Sequence, residues 1–342
     1  MTKENPAQAA TGSYRSSLRD FERMHGALAL FQAGEAARRI GDHVRSAEFF
    51  QRSLQRARQQ GDKSAMSRGF WGLATLKRLT GQIDTAIETY LLAAKCAVEA
   101  ENATYLAWAR AGHAEIIRHR GKHNVALAHH VELLGSFRRN SDGVGELWAL
   151  QGIGQIHLVN HLTKEADEFF RRAEDLAREI GDLRAIGFSR RALAISARRR
   201  GDLSLAKSFL AEAGTIFDGL EYAVGIGFSL QELAHCEIIA GNFDEAGRLV
   251  QEALTRFGDR FPLGRAWTLT TQAQIEKETG TPNHHTLARS AKIFTALGVD
   301  VNLTRPQVRY SRRLFQGGPD RIPASEHSFS NDRVKGALNG YR

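Results

Sequence analysis

The sequence predicts an all-α fold, a solenoid of stacked helical hairpins, and three observations carry that prediction. First, a pattern recurs every 40 residues. Ala86, Ala126, Ala166, Ala206 and Ala246 form one column, and Ala74, Ala114, Gly154, Ala194 and Ala234 form another. Small residues at fixed points let two helices approach closely, while larger apolar columns such as Leu73, Ile153, Leu193 and Leu233 fill the gap. Second, no proline lies between Pro6 and Pro262, so nothing in the middle of the chain breaks a helix. Third, apolar residues inside each unit recur at spacings of three and four, the period of a helix face.

One unit, from His161 to Gly201, shows the plan. Ala166, Phe169, Phe170, Ala173, Leu176 and Ala177 mark one face of a helix. Gly181 stops it, because glycine takes the left-handed conformation at little cost. Asp182 is placed to cap the next helix by accepting from its free amides. That helix carries Ile186, Leu193, Ala194 and Ala197 and ends in Arg198, Arg199 and Arg200, cations suited to the negative end of the helix dipole.

Taken in order, residues 1–15 are polar and aperiodic and are expected to be disordered. Helical pattern starts near Ser16 or Ser17. The first hairpin turns at Gly41-Asp42 and ends at Gly61-Asp62. The second turns at Gly81, the third at Gly121, the fourth at His161, the fifth at Gly201 and the sixth at Gly241. The seventh begins near Phe261, turns at Gly280 and runs from about His284 to Leu297, with a longer turn that suits a terminal, capping variant. The solenoid is thus expected over residues 16–300. A capping helix is expected over 301–316 and a flexible basic tail over 317–342.

Composition is that of an ordinary globular chain, 42% hydrophobic and 25% charged. The first residues contain no apolar run of the secretory kind, and no stretch approaches the ~20 apolar residues that span a bilayer. Cys96 and Cys236, the two cysteines, read as buried free thiols in a reducing compartment. The expectation is a cytoplasmic protein. The net charge is +9, and from residue 302 onward eight basic residues face three acidic ones. More than half of the excess therefore lies in the last segment, either as a solvated arm or as a contact for nucleic acid or an acidic partner.

These columns resemble the tetratricopeptide repeat. Ala166, Phe170 and Ala173, and again Ala206, Leu210 and Ala213, match the small–large–small positions of that family's second helix, and Gly154 and Ala194 match the small position of its first. The usual unit is 34 residues. The 40-residue form resembles that of some bacterial regulators, pheromone receptors among them, and of animal polarity scaffolds. The unit-ending proline is missing here, replaced by Gly-Asp, and His113 stands in a column otherwise filled by Leu or Ile. The resemblance implies a right-handed α-solenoid of about seven hairpins, over roughly residues 26–300, whose first helices line a concave groove. Regulators of this kind that control transcription usually carry a DNA-binding head, for which the short N-terminus is expected to leave no room.

Two columns on the first helices face that groove. Trp108, Trp148, Phe188 and Phe228 are 40 apart, Trp267 follows one residue early, and Arg68 precedes them. They are either anchors for an extended peptide or partner helix or packing between successive first helices. Arg38, Arg78, Arg118 and Arg198, with Lys277 near the phased position, form a cationic column. It either compensates helix dipoles or meets acidic groups through bidentate contacts. The candidate partner-binding set on this face is Arg68, Arg78, Trp108, Glu115, Arg118, Trp148, Gln155, Phe188, Arg198, Phe228, His235 and Trp267.

No catalytic residue, cofactor or metal is expected. The histidines crowding residues 113–130, and the pair His157 and His161, lack a completing acid or thiol. The small residues near Gly152 lie within a helix and make no dinucleotide fingerprint. The reading is a non-enzymatic scaffold or regulatory adaptor that holds a protein or peptide segment, acidic in one version, in its groove. The alternative is a nucleic-acid-associated protein that uses an Arg-rich surface and the basic tail, with steep salt dependence.

Overall fold

The computed structural model describes residues 26–39, 41–297 and 299. The expected disordered N-terminus, the capping helix over 301–316 and the tail over 317–342 lie outside them, as does the helix start near Ser16.

Fourteen helices make seven hairpins among the described residues. They are α1 Ala27–Arg39, α2 His43–Gln60, α3 Lys63–Leu79, α4 Ile83–Glu99, α5 Ala103–His119, α6 His123–Arg139 and α7 Gly143–Val159. The second half comprises α8 Thr163–Glu179, α9 Leu183–Arg199, α10 Leu203–Gly219, α11 Ala223–Ala240, α12 Phe243–Phe257, α13 Pro262–Glu278 and α14 His284–Ala296. Each helix packs on its sequence neighbours, and each odd-numbered helix also packs on the next odd-numbered one. The first helices of the hairpins therefore form a continuous inner row and the second helices an outer one, the arrangement of a tetratricopeptide-like α-solenoid.

The 40-residue columns are the joints of this stack. Ala86, Ala126, Ala166, Ala206 and Ala246 are all fully buried. So are Phe50, Tyr90, His130, Phe170, Leu210 and Val250, a large column on the outer helices that also runs in steps of 40. Phe50, Tyr90, His130 and Phe170 lie on the first helices where those carry glycine. A Cβ on Gly112 would stand 2.1 Å from the Tyr90 ring, and one on Gly152 would stand 2.2 Å from the His130 ring. Glycine there sets the distance between helices.

The turns follow one rule: a left-handed residue every 20 positions. Glycine supplies it at 41, 61, 81, 121, 181, 201 and 241, whereas Glu101, Ser141, His161 and Glu221 adopt the same positive φ without being glycine. At Gly61 and Gly181 an added Cβ would meet nothing, so the requirement there is purely conformational. Gly181→Ala is expected to cost about 1–2 kcal/mol, read as a lower urea midpoint, with no change in the folded circular dichroism spectrum. After several of these turns the next residue caps the following helix. Asp62, Asn102, Asp142, Asp182 and Asp202 each accept from the backbone amide three residues on, at 2.8–3.0 Å.

The solenoid curves far enough for its ends to meet. The Gly41 turn lies against the ring of Phe261 at the start of α13, and the Gly81 turn lies against the backbone of Ala296 and Leu297 at the end of α14.

Candidate functional site

The inner row encloses a cavity of about 740 Å³ lined by α1, α3, α5, α7 and the start of α9. Its floor is a run of rings in mutual contact. Phe31 meets Trp71 at 6.1 Å, Trp71 meets Trp108 at 5.6 Å, and Trp108 meets Trp148 at 6.3 Å between centroids. Phe188 continues the wall and packs edge-on against Phe217. These five rings are half-buried, so each packs between helices and still shows a face to the cavity. The rings thus pack between successive first helices, one of the two readings of the aromatic column, and also line the cavity.

Polar contacts hold these rings in place. The Trp71 Nε1–H donates to the Trp108 carbonyl at 3.1 Å. The Trp108 Nε1–H donates to Asp142 Oδ2 at 2.7 Å, while the other oxygen of Asp142 caps α7. Trp148 stacks on His130, with centroids 4.7 Å apart and planes 26° apart. Both ring nitrogens of His130 are buried and have no hydrogen-bond partner among the described residues. Burial holds its pKa down at about 4, so at neutral pH the imidazole is an uncharged ring filling the position of Phe50 and Phe170.

Three arginines of the cationic column are already paired. Arg38 forms a two-pronged contact with Glu35 (2.7 and 2.8 Å), and Arg118 does the same with Glu115 (2.5 and 3.0 Å). Arg198 reaches Glu232, one hairpin on, at 2.9 Å. Burial alone would raise the Glu115 pKa, but the Arg118 charge and the hydrogen bonds from His119 and Arg118 hold its carboxyl well below the usual range. Arg78 differs: its Nε is buried with no hydrogen-bond partner among the described residues, and it lines the cavity.

Of the candidate residues, the structure brings Arg78, Trp108, Glu115, Trp148 and Phe188 to the cavity wall. Arg118 lies behind Glu115 as its counter-ion. Arg68 stacks on Tyr105 at 5.5 Å. Gln155 is half-buried on α7 outside the cavity lining. Farther round the row, Arg198 belongs to a buried network with Glu232, and Arg191 lies over the Phe228 ring at 5.2 Å. His235 is 3.3 Å from the Thr271 hydroxyl, and Trp267 packs edge-on against Phe294. Two rings of the wall, Phe31 and Trp71, are absent from the 40-step column. Trp71 precedes Trp108 by 37 residues, one helical turn out of register and so on the same face; that offset was the available signal.

Among the described residues no group of three or more His, Cys, Asp or Glu could hold a metal ion, and no helix is long and apolar enough to cross a membrane. Cys96 and Cys236 are free and buried, and burial pushes the Cys236 thiol up to about 11.

No protein-family model matches the chain, and no curated protein matches it in sequence. Solved structures do match in fold. The chain is similar to a Rap protein solved in complex with competence and sporulation factor (TM-score 0.56, 12% identity, covering 85% of this chain and 87% of that one). It is also similar to aspartyl phosphate phosphatase F from Bacillus subtilis (TM-score 0.52, 13% identity, 88% and 74%). A third match is a signal transduction ATPase with numerous domains from Pyrococcus horikoshii, which carries a tetratricopeptide repeat sensor (TM-score 0.51, 14% identity, 84% of this chain and 46% of that one). The chain has a tetratricopeptide-like helical repeat fold, as the 40-residue pattern implied.

Proposed function

We propose that the chain is a non-enzymatic scaffold or regulatory adaptor that holds a protein or peptide segment against its inner wall. The observation that carries this reading is the cavity of about 740 Å³ with its floor of contiguous aromatic faces. Rigid, half-buried Trp rings flanked by charged side chains are the composition of a binding hot spot. The floor lies along successive first helices, so it suits an extended segment or a helix laid along the groove. The likeness to a Rap protein solved with a bound factor supports the same class.

The alternative, nucleic-acid binding through the arginine column, is less well supported: Arg38, Arg118 and Arg198 are committed to internal carboxylates. A library of displayed linear peptides, panned on the full chain and counter-selected on Trp148→Ala, tests the reading. Peptides that enrich are expected to lose about 2 kcal/mol, some thirtyfold in affinity, on that variant, which keeps its helical content. Enrichment that is indifferent to Trp148 and Trp108 would remove the groove from the account.

A further inference from the structure

A second cavity, of about 220 Å³, opens where the first three hairpins meet the last three. Six arginines line it: Arg38, Arg39, Arg78, Arg120, Arg184 and Arg260, with His43 and His119 beside them. None of its described lining residues is an aspartate or glutamate. The remainder of the wall is apolar, with Ile83, Ile116, Val224, Phe228, Phe261 and Leu297 among its members. The large cavity is different, since Glu35, Glu115 and Asp182 face its arginines.

Some of the seam's charge is answered elsewhere. Arg38 is paired with Glu35, Arg120 with the exposed Asp84 at 2.9 Å, and the Arg184 guanidinium lies over the Tyr222 ring at 5.9 Å. Arg78 makes no ion pair among the described residues, and its Nε is buried without a hydrogen-bond partner. One donor of a group that cannot shed its proton is thus left unmet. His43 and His119 are held below the ordinary histidine range, by burial first and then by Arg38 and Arg118 respectively, so they add no charge at neutral pH.

We propose that this seam is a binding site for a small amphiphilic anion, a carboxylate or phosphate head on a short apolar body. The head is taken by Arg78 with help from its neighbours, in the forked geometry that arginine offers such groups. The body lies on Ile83, Ile116 and Phe261. The volume is roughly that of seven waters at ~30 Å³ each, which suits a short acyl or aryl chain and is too small for a peptide segment.

The site also ties the ends of the solenoid together, because its walls come from α1 to α5 on one side and from α9, α11, α13 and the end of α14 on the other. Arg38, Arg39, Arg78 and Arg184 line both cavities. An anion at the seam therefore changes the charge on a wall of the groove, and binding at the two places is linked reciprocally.

The test is calorimetric titration of the full chain with octanoate, octyl phosphate and octan-1-ol at low and at moderate salt. Saturable one-site binding of at least one of the two anions is expected, weaker at the higher salt, with none for the alcohol. Binding of only one anion assigns the head group. Arg78→Gln is expected to weaken binding at least tenfold. Arg120→Gln, which alters a partly exposed pair and keeps the test open should the first variant unfold, is expected to weaken it severalfold. Equal binding of octanol, no saturable binding of either anion, or wild-type affinity in both folded variants would overturn the proposal.

Discussion

Lowering the pH from 7 to 5 is expected to cost the folded state about 2 kcal/mol through His130 alone. Its folded pKa is about 4 against about 6.5 in an unfolded chain. Between those values the unfolded state binds the proton and the folded state does not. Stability is therefore full above about 6.5 and falls as the pH drops toward 4. His235, also held at about 4 by burial and then by Arg198, adds a loss of the same sign. The diagnostic variant is His130→Phe. Tyr90 sits over Gly112 one unit earlier as His130 sits over Gly152, so an aromatic ring is accommodated there. The variant removes two buried nitrogens without partners and is expected to be more stable by about 1 kcal/mol at pH 7. The difference should widen to about 3 kcal/mol at pH 5. Urea midpoints of the two proteins at both pH values check this; an equal difference at both would show that His130 does not titrate as its burial requires.

Arg118→Glu is expected to unfold the third hairpin rather than to tune binding. It sets a second carboxylate beside Glu115, whose own charge is held in place by Arg118 and His119. Breaking a buried pair in this way costs about 3–5 kcal/mol, and the low end applies because 16% of each side chain is exposed. The paired replacement Glu115→Leu with Arg118→Met should recover most of that loss, since it removes both charges together. A double-mutant cycle on thermal or urea unfolding measures the coupling. If Arg118→Glu is as stable as the parent, the pair is not the structural element described here.

The fold was legible because a solenoid writes each joint many times. The alanine column at 86, 126, 166, 206 and 246 repeats a single packing contact, and the Gly-Asp turns announce both a left-handed residue and a cap. Where the residue type changed, the signal weakened. Glu101, Ser141 and Glu221 hold the same left-handed turn, and only their 20-residue spacing marks them. The candidate site was half legible. Trp108, Trp148 and Phe188 kept the register and reach the cavity, but Phe31 and Trp71 are displaced by one helical turn and escape a strict 40-residue count.

The arginine column was visible as charge, but its partners were not fully so. Glu35 and Glu115 lie three residues before their arginines, whereas Glu232 reaches Arg198 across a hairpin. The seam was out of reach altogether. The contact of Gly81 with Leu297 joins residues more than 200 apart, and it depends on the accumulated curvature of six joints, which no local pattern encodes.

The central claim is that the inner wall, and not the outer one, is the surface that meets a partner. Photo-crosslinking tests it directly, with a benzophenone side chain at Gln151, which lines the large cavity, or at Leu91, which is 48% exposed on the outer helix α4. With a peptide selected on the full chain, crosslinks are expected from position 151 and not from position 91. Crosslinks from position 91 alone, or equally from both, would contradict the account.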